Sequence, residues 1–271
     1  MKRATFFIIV ALALAPPAAV GQTSPIAVVL EPRVQADVAA DFTRAGDLTL
    51  QFFREIYAVD LTRQIRIVLV PDAAAYAAAM IREWNITQTE ADRRVRTTSG
   101  WTSGTTIIVN VSNTSTPRAR IFLTSHELTH QYQIQTSAPA GAWSLYWLTE
   151  GTADVIGARV VDRGGVGSMP ETKQAWIDAL RRAPTRPDLS QIITEPSWFA
   201  ALNAYGSGVT YRYAGMAALY LAETRGYPPL IGFYAALRDS RDRGLAFQRV
   251  VGVTLDEFTT DYKAHLDRLL Q

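Results

Sequence analysis

The sequence predicts an α+β fold, with strands confined to its first 111 residues and helices from there to the end. Three observations predict it. Strand-like runs occur at Ile26 to Leu30, Gln64 to Val70 and Thr105 to Val111, and none follows. After Thr116 helical spacing recurs, at Val209, Tyr213, Met216, Leu219 and Tyr220 and again at Leu255, Phe258, Tyr262, Leu266 and Leu269. The composition is that of an ordinary globular chain, 48% hydrophobic and 19% charged over 271 residues, enough for one large domain or two lobes sharing a core.

Residues 1–21 read as a secretory signal. Lys2 and Arg3 form a basic start, Phe6 to Ala15 an apolar run, and Ala18-Ala19-Val20-Gly21 a small-residue cleavage region. The run is shorter than the ~20 residues of a spanning helix, and an uncleaved N-terminal anchor is the alternative. The expectation is an exported protein, periplasmic or secreted, with no membrane span once the signal is removed. Its removal takes two of the 27 basic residues and none of the 25 acidic ones, leaving a formal balance of zero. Nothing then favours nucleic-acid binding. Arg93-Arg94 and Arg181-Arg182 read as solvated faces. With no cysteine, stability must come from packing and metal rather than disulfides.

In order, Ile26 to Leu30 reads as a strand. Val38, Phe42, Ala45, Leu48, Phe52 and Ile56 then follow helical spacing. Gln64 to Val70 alternates, is rich in Ile and Val, and is ended by Pro71. Ala73 to Trp84 is helical by composition. Gly100 and Gly104 punctuate the stretch before the strand at Thr105 to Val111.

Thr116 and Pro117 then open a helix as N-cap and first-turn residue. Within it lies His126-Glu127-Leu128-Thr129-His130. Residues four apart share a helix face, so His126 and His130 can aim two imidazoles at one ion, with Glu127 one step round. A zinc peptidase needs that arrangement: two neutral nitrogens on the metal and a carboxylate that takes a proton from water. A third ligand is required. His265 is the only other histidine, and on its helix it reads as a surface residue opposite Phe258 and Tyr262.

The better candidate follows Trp147-Leu148-Thr149, where Glu150 stands twenty positions after His130 and four before Asp154. Both acids then share a helix face. Glu150 can complete a His, His, Glu set while Asp154 accepts the free N–H of a liganding histidine. The roles could also be exchanged, with Asp154 as ligand and Glu150 near the positive end of the helix.

Pro139-Ala140-Gly141 breaks the first of these helices, and the second runs from the Glu150 region to about Val161. After the loop at Gly164 to Gly167 comes a helix from Glu171 to Arg182, then a turn at Pro184 to Pro187. Tyr205 to Gly226 has helical spacing at Val209, Tyr213, Met216, Leu219 and Tyr220. Leu230 to Gln271 reads as two or three short helices, the last opened by the capping box Thr254-Leu255-Asp256-Glu257.

H-E-x-x-H followed by W-L-T-E-G-T-A-D resembles the gluzincin superfamily of zinc peptidases. It is similar in particular to the W-L-x-E-G-x-A segment of peptidase-MA-like domains, relatives of aminopeptidase-N-type catalytic domains. The closing G-V-T-L-D-E-F segment is similar too. The resemblance covers most of residues 25–271 through these specific segments. It implies one catalytic domain with sub-lobes at about 25–135 and 136–271, a mixed twisted sheet in the first, a mostly helical second, and the active-site cleft between them.

It also implies one zinc per chain and a peptide or protein substrate. The strand before the metal helix, here Ile107 to Val111, would lie at the sheet edge and pair with substrate backbone. A tyrosine nine residues before a Tyr-Leu pair would serve the oxyanion. Tyr220-Leu221 points to Tyr211, with Tyr205 and Tyr213 as lesser candidates. The G-A-M-E-N signature of aminopeptidases is absent, and with it the support for N-terminal exopeptidase action. The rival expectation is an exported binding or assembly module that keeps the fold without catalysis. A closed structural zinc site is disfavoured by the lack of cysteine. No oligomeric state is specified.

Overall fold

The computed structural model describes residues 24–137 and 145–271. The expected signal at 1–21 and the break at Pro139-Ala140-Gly141 lie outside the described residues. No helix among the described residues is long and apolar enough to cross a membrane.

The chain is α+β, mostly helical, with one four-stranded mixed sheet. Strands β1 (Ile26–Leu30), β2 (Ile65–Val70), β3 (Gly100–Ser103) and β4 (Thr106–Asn110) lie in the spatial order β1-β2-β4-β3. The first three of that order are parallel, and β3 runs antiparallel to β4. Helices α1 (Ala36–Tyr57) and α4 (Pro117–Ser137) pack on one face, α2 (Ala73–Trp84) and α3 (Gln88–Thr97) on the other.

Strand β2 explains the layering. Its odd positions Ile65, Ile67 and Leu69 join Phe42, Ile107, Val109 and Leu128 in one apolar cluster. Val68 and Val70 join Ile108, Tyr76 and Met80 in another. A strand buried on both faces needs a nearly continuous apolar run, which is what Ile65–Val70 provides.

One expectation is overturned here. Ile107 to Val111 is not at the sheet edge, because β4 is paired on both sides, with β2 and with β3. The residues before it make the difference. Gly104 adopts φ +58°, a left-handed conformation open to glycine, and folds Gly100–Ser103 back as a hairpin that takes the outer position. The edge strand beside α4 is therefore β3.

The second half is helical throughout. It comprises α5 (Tyr146–Arg163), α6 (Met169–Arg182), α7 (Glu195–Tyr205), α8 (Ser207–Arg225), α9 (Pro228–Ser240), α10 (Arg243–Val251) and α11 (Leu255–Leu270). The helical stretch read from Tyr205 to Gly226 is α8, which starts at Ser207 because Gly206, with φ +82°, parts it from α7. Their core is aromatic: Trp147 stacks on Phe258, Phe247 packs on both, and Tyr262 sends its hydroxyl to the Tyr213 carbonyl. His265 is not a bare surface residue. Its ring stacks on Tyr220, which also meets Phe258 and Tyr262.

Candidate metal centre

Helix α4 begins where its cap was expected, the Thr116 hydroxyl accepting from the Ala119 N–H at 3.1 Å. From Thr124 to Gln133 every residue is buried, polar ones included, because α1, α5, α9 and β3 surround it. Buried polar side chains need partners. Thr49 of α1 donates to Ser125 at 2.8 Å, and Thr124 and Thr129 bond back to carbonyls one turn earlier.

His126 and His130 project from this helix one turn apart, each 6% exposed. His126 Nδ1 donates to Asp154 Oδ1 at 2.9 Å. His130 Nδ1 donates to Gln133 Oε1 at 2.8 Å, and the orientation of that amide is set by its Nε2, which donates to the Thr149 carbonyl at 3.0 Å. In its neutral form each ring thus spends its proton on Nδ1 and keeps a lone pair on Nε2. The two Nε2 atoms lie 3.1 Å apart, and Glu150 Oε2 stands 3.2 Å from one and 3.7 Å from the other. With both rings neutral, three electron-pair donors converge on one point. His126, His130 and Glu150 form a buried group that could hold a metal ion.

The charges of this buried site act on one another. Burial opposes protonation of His126, but Asp154 and Glu150 outweigh it and hold its pKa well above the ordinary histidine value. Burial pushes Glu150 up, yet His130 and His126 bring it below the usual carboxylate range. Burial holds Asp154 above that range against the pull of His126.

The structure brings Glu127 to the same place. Its carboxylate lines a cavity of about 240 Å³ together with both histidines and Glu150. Edge strand β3 fixes it: the Thr102 hydroxyl donates to Glu127 Oε2 at 2.5 Å, and a methyl group on Gly100 would fall 2.9 Å from Oε1.

Tyr211 lines the cavity as well, its ring 6.2 Å from that of His126 and edge-on to Trp198. Burial pushes its phenol well above the ordinary tyrosine range, with Glu150 adding to the effect, so it keeps its proton at neutral pH. The other two tyrosines are elsewhere. Tyr205 reaches toward Gln191, and Tyr213 is buried against Tyr262. His265 lies on α11, outside the group that converges on the cavity.

Sequence reasoning missed Thr102, Gly100 and Gln133. Only Gln133 left a signal, its position three after His130 on one helix face. Of the pair Arg93-Arg94, read as solvated, Arg93 is half-exposed and Arg94 is largely shielded. Arg93 lies over the Phe199 ring, and Arg94 lies over Trp101 and lines the cavity. No protein-family model matches the chain, and no curated protein matches it.

Proposed function

We propose that this protein is an exported zinc metallopeptidase of gluzincin type, holding one zinc per chain on His126, His130 and Glu150. The observation that carries this is the convergence of His126 Nε2, His130 Nε2 and Glu150 Oε2 on the floor of a cleft that also presents Glu127. Two imidazoles and one carboxylate suit zinc, whereas calcium and magnesium prefer oxygen throughout. When bound, zinc supplies a Lewis acid that polarises a carbonyl and acidifies water.

The chain's own residues supply the rest. Glu127 takes the proton from the attacking water and later passes it to the leaving amine. Thr102 and the bare Cα of Gly100 hold that carboxylate in one orientation. Tyr211, protonated and facing the cleft, donates its O–H to the developing oxyanion of the substrate. Among the described residues the outer edge of β3 has no neighbouring strand, and an extended peptide lies along it as a further strand.

The test uses mature protein purified without chelator. One zinc per chain is expected in the parent and in Glu127→Gln. An unbiased peptide mixture is cleaved by the parent, and cleavage falls by ~10²–10⁴-fold in the variant. Equal turnover by Glu127→Gln removes the base, and full zinc retention by His126→Ala places the metal elsewhere.

A further inference from the structure

On the cleft wall, Arg94 has more hydrogen-bonding capacity than its surroundings use. It projects from α3 and lays its guanidinium over the Trp101 ring of β3, 3.6 Å from the centroid. Nη2 reaches Glu90 Oε1 at 2.6 Å. That carboxylate is shared, since Arg93 holds it with Nε at 2.9 Å and Nη2 at 2.6 Å. Arg94 Nε and Nη1 are shielded from solvent and have no partner among the described residues. Its side chain is 13% exposed.

An arginine that served only to brace α3 against β3 would need its flat face and the Glu90 bond. It would not need two shielded N–H groups left unsatisfied, an arrangement that is costly for a charged donor. Among the described residues lining the cleft, Arg94 is the only lysine or arginine. Glu127, Glu150 and Glu195 line it too, and Arg94 faces them with the opposite charge.

We infer that Arg94 forms a subsite for a substrate carboxylate, either the C-terminal carboxylate of a peptide or the side chain of an Asp or Glu within it. This rests on the peptidase proposal and narrows its substrate class. The carboxylate engages the end of the guanidinium, Nη1 together with Nη2, as it slides across the Trp101 face and leaves Glu90 to Arg93. Guanidinium and carboxylate then form a charge-assisted pair inside a largely enclosed cleft, where such pairs are strongest.

The experiment reads binding as well as turnover. Zinc-loaded Glu127→Gln protein is titrated by calorimetry with acetylated alanine hexapeptides of four kinds. These end in a free carboxylate or an amide, or, as amides, carry one glutamate or one glutamine at each position in turn. A carboxylate peptide is expected to bind roughly 10- to 100-fold more tightly than its neutral counterpart. Which pair shows the preference identifies the terminus or the side chain as its source. Adding Arg94→Gln should abolish the preference while zinc content stays at one per chain.

Equal affinities within every pair, no binding by any peptide, or a preference that survives Arg94→Gln overturns the subsite. Should Arg94→Gln fail to fold, the comparison in the Arg94 protein still decides. Hydrolysis by the zinc-loaded parent without carboxylate preference overturns the subsite and leaves the peptidase. Carboxylate preference without hydrolysis of any peptide does the reverse.

Discussion

A methyl group on Gly151 would lie 2.2 Å from the carbonyl oxygen of Ala214. Helices α5 and α8 therefore cross with backbone against backbone, and only glycine lets them. The crossing stands beside Glu150 on one helix and less than one turn from Tyr211 on the other. It is what sets the Glu150 carboxylate and the Tyr211 phenol against the same cavity.

Gly151→Ala should separate the two helices. Overpacking of this kind costs ~1–3 kcal/mol or more, and the obstacle is rigid backbone rather than a side-chain tip. Denaturant unfolding should show that loss, and metal titration of the folded fraction should show weaker zinc binding. Parent-like values in both measurements would mean that α5 and α8 accommodate the methyl group without disturbing Glu150.

Thr102→Val removes the O–H that holds Glu127 and keeps the shape of the side chain. A hydrogen bond to a charged group contributes ~1.5–3 kcal/mol, so kcat should fall roughly 10- to 100-fold with KM and zinc content little changed. Thr102→Ser restores the hydroxyl and should restore most of the rate. A fall shared equally by both variants would assign Thr102 to packing of the edge strand instead.

The two acids of α5 should fail differently. Glu150→Ala leaves two protein donors, and zinc should be lost at micromolar chelator. Asp154→Ala keeps all three donors but frees His126 Nδ1, a change worth roughly 10- to 100-fold in affinity or activity. Zinc held more tightly by Glu150→Ala than by Asp154→Ala would exchange their roles.

The metal-free protein should lose stability as pH rises. His126 is held above its ordinary value of 6.5, so its protonated form stabilises the fold fully below that value. The contribution disappears as pH rises through the folded pKa, when neutral His126 faces two other lone-pair donors. Asp154, held above the ordinary 3.8 by burial, acts in the same direction. Glu150, held below 4.5, contributes above that value and loses its effect only as pH falls through its folded pKa. Thermal unfolding of chelator-treated protein should therefore move to lower temperature as pH rises above 6.5, and added zinc should raise it most at the alkaline end. A flat profile without metal would show that these three groups keep the same protons on unfolding.

The sequence by itself determined what lies along one helix. Four-residue spacing puts His126 with His130 on one face and Glu150 with Asp154 on another, and Thr116 and Thr254 mark helix starts through their own hydroxyls. These relations are local, set by the period of a single helix, and need no partner to be legible.

Other features depended on how elements meet. Helix α4 is buried on every side, so its polar residues carry no amphipathic pattern, and Gln133 emerges only when α5 offers the Thr149 carbonyl. Arg94 looks like any surface arginine until α3 packs on β3 and puts Trp101 beneath it. Gly104 decides which strand forms the edge, since one left-handed residue folds β3 outside β4 and brings Gly100 and Thr102 to Glu127. Tertiary structure decided these because each is a contact between residues whose separation in sequence says nothing about their separation in space. Their geometry follows from the crossing of elements and not from the period within one.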